Sequence, residues 1–452
     1  MNKLNVGFSK VNINPPLGIS VAGYYIDRFA KGFLDDTNIS GVAFECDGTK
    51  ILVMSVDVCT LRTAYTKLCA EEIEKATGVS KENIFITATH SHTAADVGAA
   101  LDGSSNELID EYTRLVTRRM VDAAVMALAD LAPAKMGFAT GWAPERVAYI
   151  RRYRMKDGST FTCPPINDPN IVGPIGELDQ RVHVLRFTRE GAEDVVIVNY
   201  GVHADTVNGE LISADWPHWM YKTLDAALDG VKCIFIAGAQ GDVGSTNVHP
   251  SGGDMNDTEI SFDNEMKSPG MARFVGRALA GTVLQVYDKV EYVDVDSIEM
   301  IQKSVTVPAN VPAPEDLPLA HKYKELHEAG HDDEIPFKAM QLTTVVAEAI
   351  RMCELEHGPY EFNLGMCGIR LGNVALVGIP GEPFTEVGVK IKDTDGFAMI
   401  MPCGLTNGYE GYFPVKAAFD EGGYEARTSR YKSGVAEAVV DCGKAILEEL
   451  KK

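Results

Sequence analysis

Short runs in which nearly every position is apolar, and many are β-branched, recur at 51–57, 84–88, 195–200, 233–237, 374–378 and 398–401. A run without alternation between apolar and polar positions predicts a strand covered on both faces. Between these runs, residues 64–76, 108–131, 216–228, 272–287 and 432–450 carry apolar side chains three and four apart, with no proline in their interiors. That spacing predicts amphipathic helices. Strands and helices in this arrangement predict an α/β fold of mixed β-sheets flanked by helices. No period of ~20–50 residues recurs, which excludes a repeat protein.

Three stretches lack either pattern. Residues 157–177 and 249–267 are rich in Gly, Pro, Asn and Asp, and 308–318 carries four spaced prolines. Loops of this length are usually functional lids or linkers. The last leads into a polar helical stretch at about 315–356, read as an inserted helical hairpin. Strand patterns resume at 361–371 and 374–378, so the whole chain, 1–452, is expected to form a single domain.

Composition narrows the function. With 452 residues and 45% hydrophobic content the chain can bury a large core, which excludes disorder as its main state. Lys and Arg total 42 against 64 Asp and Glu, and a net charge of -22 repels phosphate backbones and anionic membranes. A small-molecule substrate is therefore expected, with no nucleic acid and no stable membrane association. The nine cysteines are odd in number and contain no C-x-x-C pair, and several, such as Cys233, sit in apolar runs, as in a reducing compartment. Polar residues follow Met1 too soon for a signal peptide, and no apolar run reaches the ~18 residues needed to span a bilayer. A cytoplasmic location is expected.

Four apolar strands end in residues that bind metal or move protons. The run 84–88 leads to His90-Ser-His92, and 195–200 leads to His203-Ala-Asp205. The run 374–378 leads to Pro380-Gly-Glu382, and 398–401 to a glycine-rich turn with Tyr409 and Tyr412. Ligands of open α/β sheets gather at the carboxyl ends of strands, so these four ends are expected to meet. Two histidines and a carboxylate, with a position open to water, form one type of catalytic zinc site. Taken singly, each piece has a plainer reading: H-x-H as surface histidines, His203 as a core histidine, Glu382 as a cap for the helix starting near Phe384. Asp205 and Asp215 fit either a metal ligand or a partner that orients a histidine. His183, His218, His249, His321, His327, His331 and His357 lack such context and read as solvated. The glycine-rich 237–247 lacks the Lys and spacing of a P-loop and reads as a close backbone approach to a substrate or a metal-bound group.

The order of these motifs resembles the neutral, non-lysosomal ceramidase family. The likeness runs from Val6-Gly7 and Asn12-Ile-Asn-Pro-Pro16 to Gly23-Tyr24, then Ala88-Thr-His-Ser-His92, Val202-His203, Gly241-Asp-Val243, Pro380-Gly-Glu382, Asn407-Gly-Tyr-Glu-Gly-Tyr412 and Tyr424-Glu425. The resemblance implies a ceramidase-like catalytic domain acting as a zinc-dependent amidase on the N-acyl bond of ceramide. It implies zinc held by His90, His203, Glu382 and Tyr412, with His92, Tyr424 and Arg151 as catalytic groups around the reacting carbonyl. The chain departs from the family at Thr93-Ala94-Ala95 after H-x-H. It departs again at Gly244-Ser245-Thr246, where the counterpart of the active-site serine falls on Gly244 or Ser245. A C-terminal immunoglobulin-like domain is not expected. The reading is therefore a zinc hydrolase of an amide bond. Two alternatives stay open: a zinc hydrolase of a soluble lactone, ester or glycoside-like metabolite, and an inactive metal- or ligand-binding protein.

Overall fold

Two sheets face one another in the computed structural model, which describes residues 4–98, 106–261 and 263–452. Among these residues the larger sheet has the order Lys232–Ala237, Val195–Tyr200, Arg181–Arg189, Ala132–Trp142, Asn5–Asn12, Asn38–Cys46, Thr49–Val56, Ile84–Ala88, and Glu291–Val293 also pairs with Ala132–Trp142. The smaller sheet runs Ile298–Pro308, Glu361–Leu371, Val374–Gly378, Met399–Cys403. Both are mixed. The centre of the large sheet is antiparallel, each of its ends is a parallel pair, and the small sheet also ends in one. Helices Thr63–Thr77, Trp216–Ala227 and Thr385–Lys392 lie in the crossovers that join these three parallel pairs, as parallel pairing requires.

The layers explain why the strand runs lack alternation. Along Thr49–Val56, Leu52, Met54 and Val56 pack with Tyr65 and Val116 of the helices outside the large sheet. Ile51 and Val53 pack with Ile369, Leu371 and Met401 of the small sheet. The outer face of the small sheet is covered in turn, with Val377 against Ile391, Val439 and Ile446. Helices therefore flank two stacked sheets, and a central strand meets apolar side chains on both sides. Strand Ile298–Pro308, at the rim, alternates more buried with more exposed residues instead.

Strands Ile84–Ala88, Val195–Tyr200 and Val374–Gly378 match the apolar runs end to end, and the other three runs shift by one or two residues. Helix Glu107–Ala129 begins where Asn106 accepts a hydrogen bond from the Ile109 amide, with Glu107 and Asp110 in its first turn. Two of the irregular stretches prove more ordered than expected. Residues 157–177 contain strands Thr160–Thr162 and Ile171–Pro174, which flank Arg152–Met155 in a small antiparallel sheet. Their partner strand lies just upstream, and short pairing of this kind leaves little periodic trace. Residues 249–267, described apart from residue 262, contain the short turn Gly252–Met255 and the paired strands Glu259–Ile260 and Met266–Lys267. Helices Leu317–Glu328 and Ala339–Leu355 occupy the stretch at 315–356, and Ile335, Val345 and Val346 form a small core there with Tyr323 and Leu326.

His183 corrects the reading of the uncommitted histidines as solvated. It is buried on Arg181–Arg189, with Nδ1 3.0 Å from Thr140 Oγ1, and burial pushes it down to about 3. All nine cysteines are free, and eight are buried. Among the described residues, no helix is long and apolar enough to cross a membrane; the polar N-terminus read above includes residues 1–3, which lie outside the described residues.

Candidate metal centre

The carboxyl ends of the three parallel pairs converge because the sheets are tied together there. Ser55 Oγ donates to the Phe235 carbonyl at 2.6 Å, bringing the two ends of the large sheet together. Asn199 Nδ2 donates to the carbonyls of Ile236 and Pro402, each at 3.0 Å, which joins large sheet to small. The Ile86 amide donates to Asn407 Oδ1 at 2.8 Å, and the Asn407 amide returns a bond to the Ile86 carbonyl at 2.7 Å. The segments leaving these strands carry His90, His92, His203, Glu382, Tyr409 and Tyr412.

Backbone carbonyls set the orientation of the histidines. His90 Nδ1 lies 2.8 Å from the Cys59 carbonyl, His203 Nδ1 2.8 Å from the Val243 carbonyl and His92 Nδ1 3.0 Å from the Gly23 carbonyl. A carbonyl only accepts, so each Nδ1 donates and each Nε2 of the neutral ring presents a lone pair. Two of these nitrogens meet one carboxylate oxygen: Glu382 Oε2 is 3.2 Å from His90 Nε2 and 3.0 Å from His203 Nε2. These three side chains are at most 2% exposed and could together hold a metal ion. Oε2 is buried without a hydrogen-bond partner, a costly state for a carboxylate unless a cation faces it. The residues therefore fit a metal of the zinc type, bound through nitrogen and oxygen.

The electrostatics agree. Burial opposes ionisation of His90, but the Glu382 carboxylate prevails and holds the imidazole well above its ordinary value. Burial, then the charges of His90 and His203, hold His92 well below; burial and Arg151 lower His203. Burial would raise Glu382, yet His90 and His203 hold it well below the carboxylate range. The pocket thus stabilises one positive charge against Glu382, as a ligated cation would supply.

His92 Nε2 lies 3.2 Å from His90 Nε2, at the open side of the cluster. Gly23 brings its carbonyl against the His92 ring: a Cβ there would stand 2.7 Å from His92 Nδ1, at a φ of +101°. Tyr412 pairs with Glu382 in register on two short parallel strands, and its hydroxyl accepts from Arg151 Nη2 at 3.0 Å. Arg151 is buried, donates from Nε to Glu425 at 2.7 Å and from Nη2 to the Gly241 carbonyl at 2.9 Å, and places Nη1 3.2 Å from His203 Nε2. Its neighbours Arg152 and Arg154 turn away to Glu421. Tyr424 stands edge-on to Tyr412, with ring centroids 5.6 Å apart. All seven residues singled out from the sequence therefore gather in one place.

Tyr409 was quoted in the N-G-Y-E-G-Y motif without a role; it donates to Glu382 Oε1 at 2.9 Å and leaves Oε2 to the histidines. Asp205 accepts from Tyr24 Oη at 2.7 Å and Lys267 Nζ at 2.8 Å, and lies 3.9 Å from His92. The Asp215 carboxylate serves the backbone rather than a histidine ring. It caps helix Trp216–Ala227 and accepts from the amides of Thr206, Val207 and Trp216, so its charge is spent on the backbone. A Cβ at Gly244 would face Arg151 at 3.8 Å, whereas Ser245 lines a separate cleft with Arg146 and Arg273.

A cavity of about 50 Å³ opens beside His92 and is lined by Tyr24, Tyr25, Arg151, Asp205, Asp263, Glu265, Met340, Thr343, Tyr412 and Tyr424. Met340 and Tyr424 also line a second cavity of about 220 Å³, together with Phe161, Phe337 and Val345.

By sequence, the chain matches no protein family and no curated protein. In fold it is similar to the neutral ceramidase from Pseudomonas aeruginosa, with a TM-score of 0.71, 16% identity and coverage of 100% of this chain and 75% of that one. A ceramidase complexed with C2 gives a TM-score of 0.72 and 16% identity, over 100% of this chain and 76% of that one. The expected neutral ceramidase-like fold and its mixed α/β class are borne out.

Proposed function

We propose that the chain is a zinc-dependent hydrolase that cleaves an amide (N-acyl) bond of a small molecule. The reading is carried by one observation: His90 and His203, each with Nδ1 on a backbone carbonyl, turn their buried Nε2 atoms to within 3.2 Å of one buried carboxylate oxygen of Glu382 that has no hydrogen-bond partner. Zinc would be held by His90, His203 and Glu382, with Tyr412 as a fourth ligand beside them. When bound, zinc supplies Lewis acidity and a water whose pKa falls to about 7.

The remaining steps belong to the side chains. His92 Nε2 takes a proton from the attacking water and passes it to the leaving nitrogen, while the Gly23 carbonyl fixes the ring. Arg151 and Tyr424 donate to the carbonyl oxygen as negative charge develops on it. Glu425 holds Arg151 in place through Nε, at the wall of the cavity that Arg151 lines. The two cavities fit a compact acyl compound better than a two-chain lipid: about 150 Å³ accommodates benzene, and the larger measures about 220 Å³.

Turnover of short N-acyl amides by zinc-loaded protein, lost on chelation and restored by zinc, is the expected result. Hydrolysis that survives complete metal removal contradicts the reading. Zinc uptake without turnover of any amide, ester or lactone supports the binding-only alternative.

A further inference from the structure

The wall of the cavity next to His92 carries more negative than positive charge. Lys267 is 1% exposed and lies 2.8 Å from Asp205 and 2.6 Å from Glu265, so one cation serves two carboxylates. Cys163 Sγ also donates to Glu265, at 2.7 Å, and Tyr24 donates to Asp205, so these two acids are well supplied. Arg151 is matched by Glu425, and Glu382 by the cation that it and the histidines would hold. Asp263 remains. It is 5% exposed, lines the same cavity and, among the described residues, accepts from the Thr343 hydroxyl at 3.3 Å. Among the described residues no cation is in ion-pair contact with it, and burial followed by the neighbouring Glu265 pushes it up to about 7 against the pull of Lys267. A carboxylate in this position is costly unless an incoming charge meets it.

The geometry also orders the two ends of a substrate. His92, the residue that would protonate the leaving nitrogen, borders the acidic wall through Asp205 and Tyr24. Tyr424, one of the donors to the carbonyl oxygen, lines both the cavity next to His92 and the apolar cavity of Phe161, Phe337 and Met340. The amine portion of a bound amide therefore lies on the side of Asp205, in the cavity that Asp263 also lines, and the acyl portion can extend into the adjoining apolar cavity.

We propose that the substrate is an N-acylated amine whose amine portion bears a second, cationic nitrogen, received by Asp263. This rests on the hydrolase reading for the chemistry, but the recognition is a property of the cavity and can be measured without it. The probes are N-acetylputrescine, which carries an ammonium group, and N-pentylacetamide, its uncharged counterpart with a methyl group in that place. Calorimetric binding to the metal-free full chain, where no metal-dependent turnover interferes, is expected to favour the cationic compound by tenfold or more. Asp263→Asn should bring the ratio close to one, with circular dichroism and melting temperature used to confirm folding. With zinc, kcat/KM should show the same preference. Equal or weaker binding of the cationic compound by the unaltered protein overturns the proposal whatever the variant does. A preference that persists in a folded Asp263→Asn overturns it too. Selective binding without turnover would instead leave the cation site standing and count against the hydrolase reading.

Discussion

Tyr409 shows how a single hydroxyl can set the chemistry of a carboxylate. By occupying Glu382 Oε1 it turns the other oxygen toward His90 and His203, so Tyr409→Phe should weaken zinc binding about 10- to 100-fold while the chain stays folded. Competition against a chromogenic chelator measures this. The paired histidines divide differently. His90→Ala and His203→Ala should empty the site, whereas His92→Ala should keep its zinc and lose about 10²- to 10⁴-fold in turnover. Metal loss from His92→Ala as complete as from His90→Ala would make both residues ligands. His90, His203 and Glu382 were legible in sequence because each follows an apolar strand at short range, whereas Tyr412 as a ligand came only from the family resemblance. Tyr409 and Asp263 were not assigned, because their roles depend on partners 27 and 80 residues away, Glu382 and Thr343.

At the scale of elements, the loop bearing Gly23 acts as a splint for His92. Gly23→Ala would drive a methyl group into the imidazole and should cut turnover by roughly 10²-fold through misplacement, with zinc content unchanged. Strand Arg181–Arg189 carries a different burden in His183. Its folded pKa, about 3, lies below the ordinary 6.5, so the unfolded chain binds a proton between those values that the folded chain refuses. Stability from this group is complete above pH 6.5 and declines as pH falls toward 3. His183→Asn, which can still bond Thr140, should therefore show a shallower loss of denaturation free energy over that range, by about one proton in slope. An unchanged slope would mean that His183 titrates normally. Strands buried on both faces were readable from their unbroken apolar runs. Asn38–Cys46, Ala132–Trp142 and Arg181–Arg189 were not, because glycines and charged residues interrupt them. Gly141 shows the reason: a Cβ there would lie 2.5 Å from Thr282 of the covering helix, so packing selects a residue that masks the strand pattern.

Over the whole molecule, three parallel strand pairs from two sheets deliver the site, and on the proposed reading the net negative charge and compact cavities would select what reaches it. The proposed specificity excludes a two-chain lipid: ceramide in detergent should turn over far more slowly than short N-acyl amides, and efficient ceramide cleavage without turnover of the small compounds would contradict this. The core does not depend on the metal, since its three main clusters pack around sheets and helices. Chelated protein should therefore remain folded, with a melting temperature that zinc raises according to its affinity. The most direct test is a zinc titration of chelated protein followed by calorimetry. The account predicts saturation at about one zinc per chain, abolished in His203→Ala and retained in His92→Ala; a chain that takes up no zinc at a saturable site would contradict it.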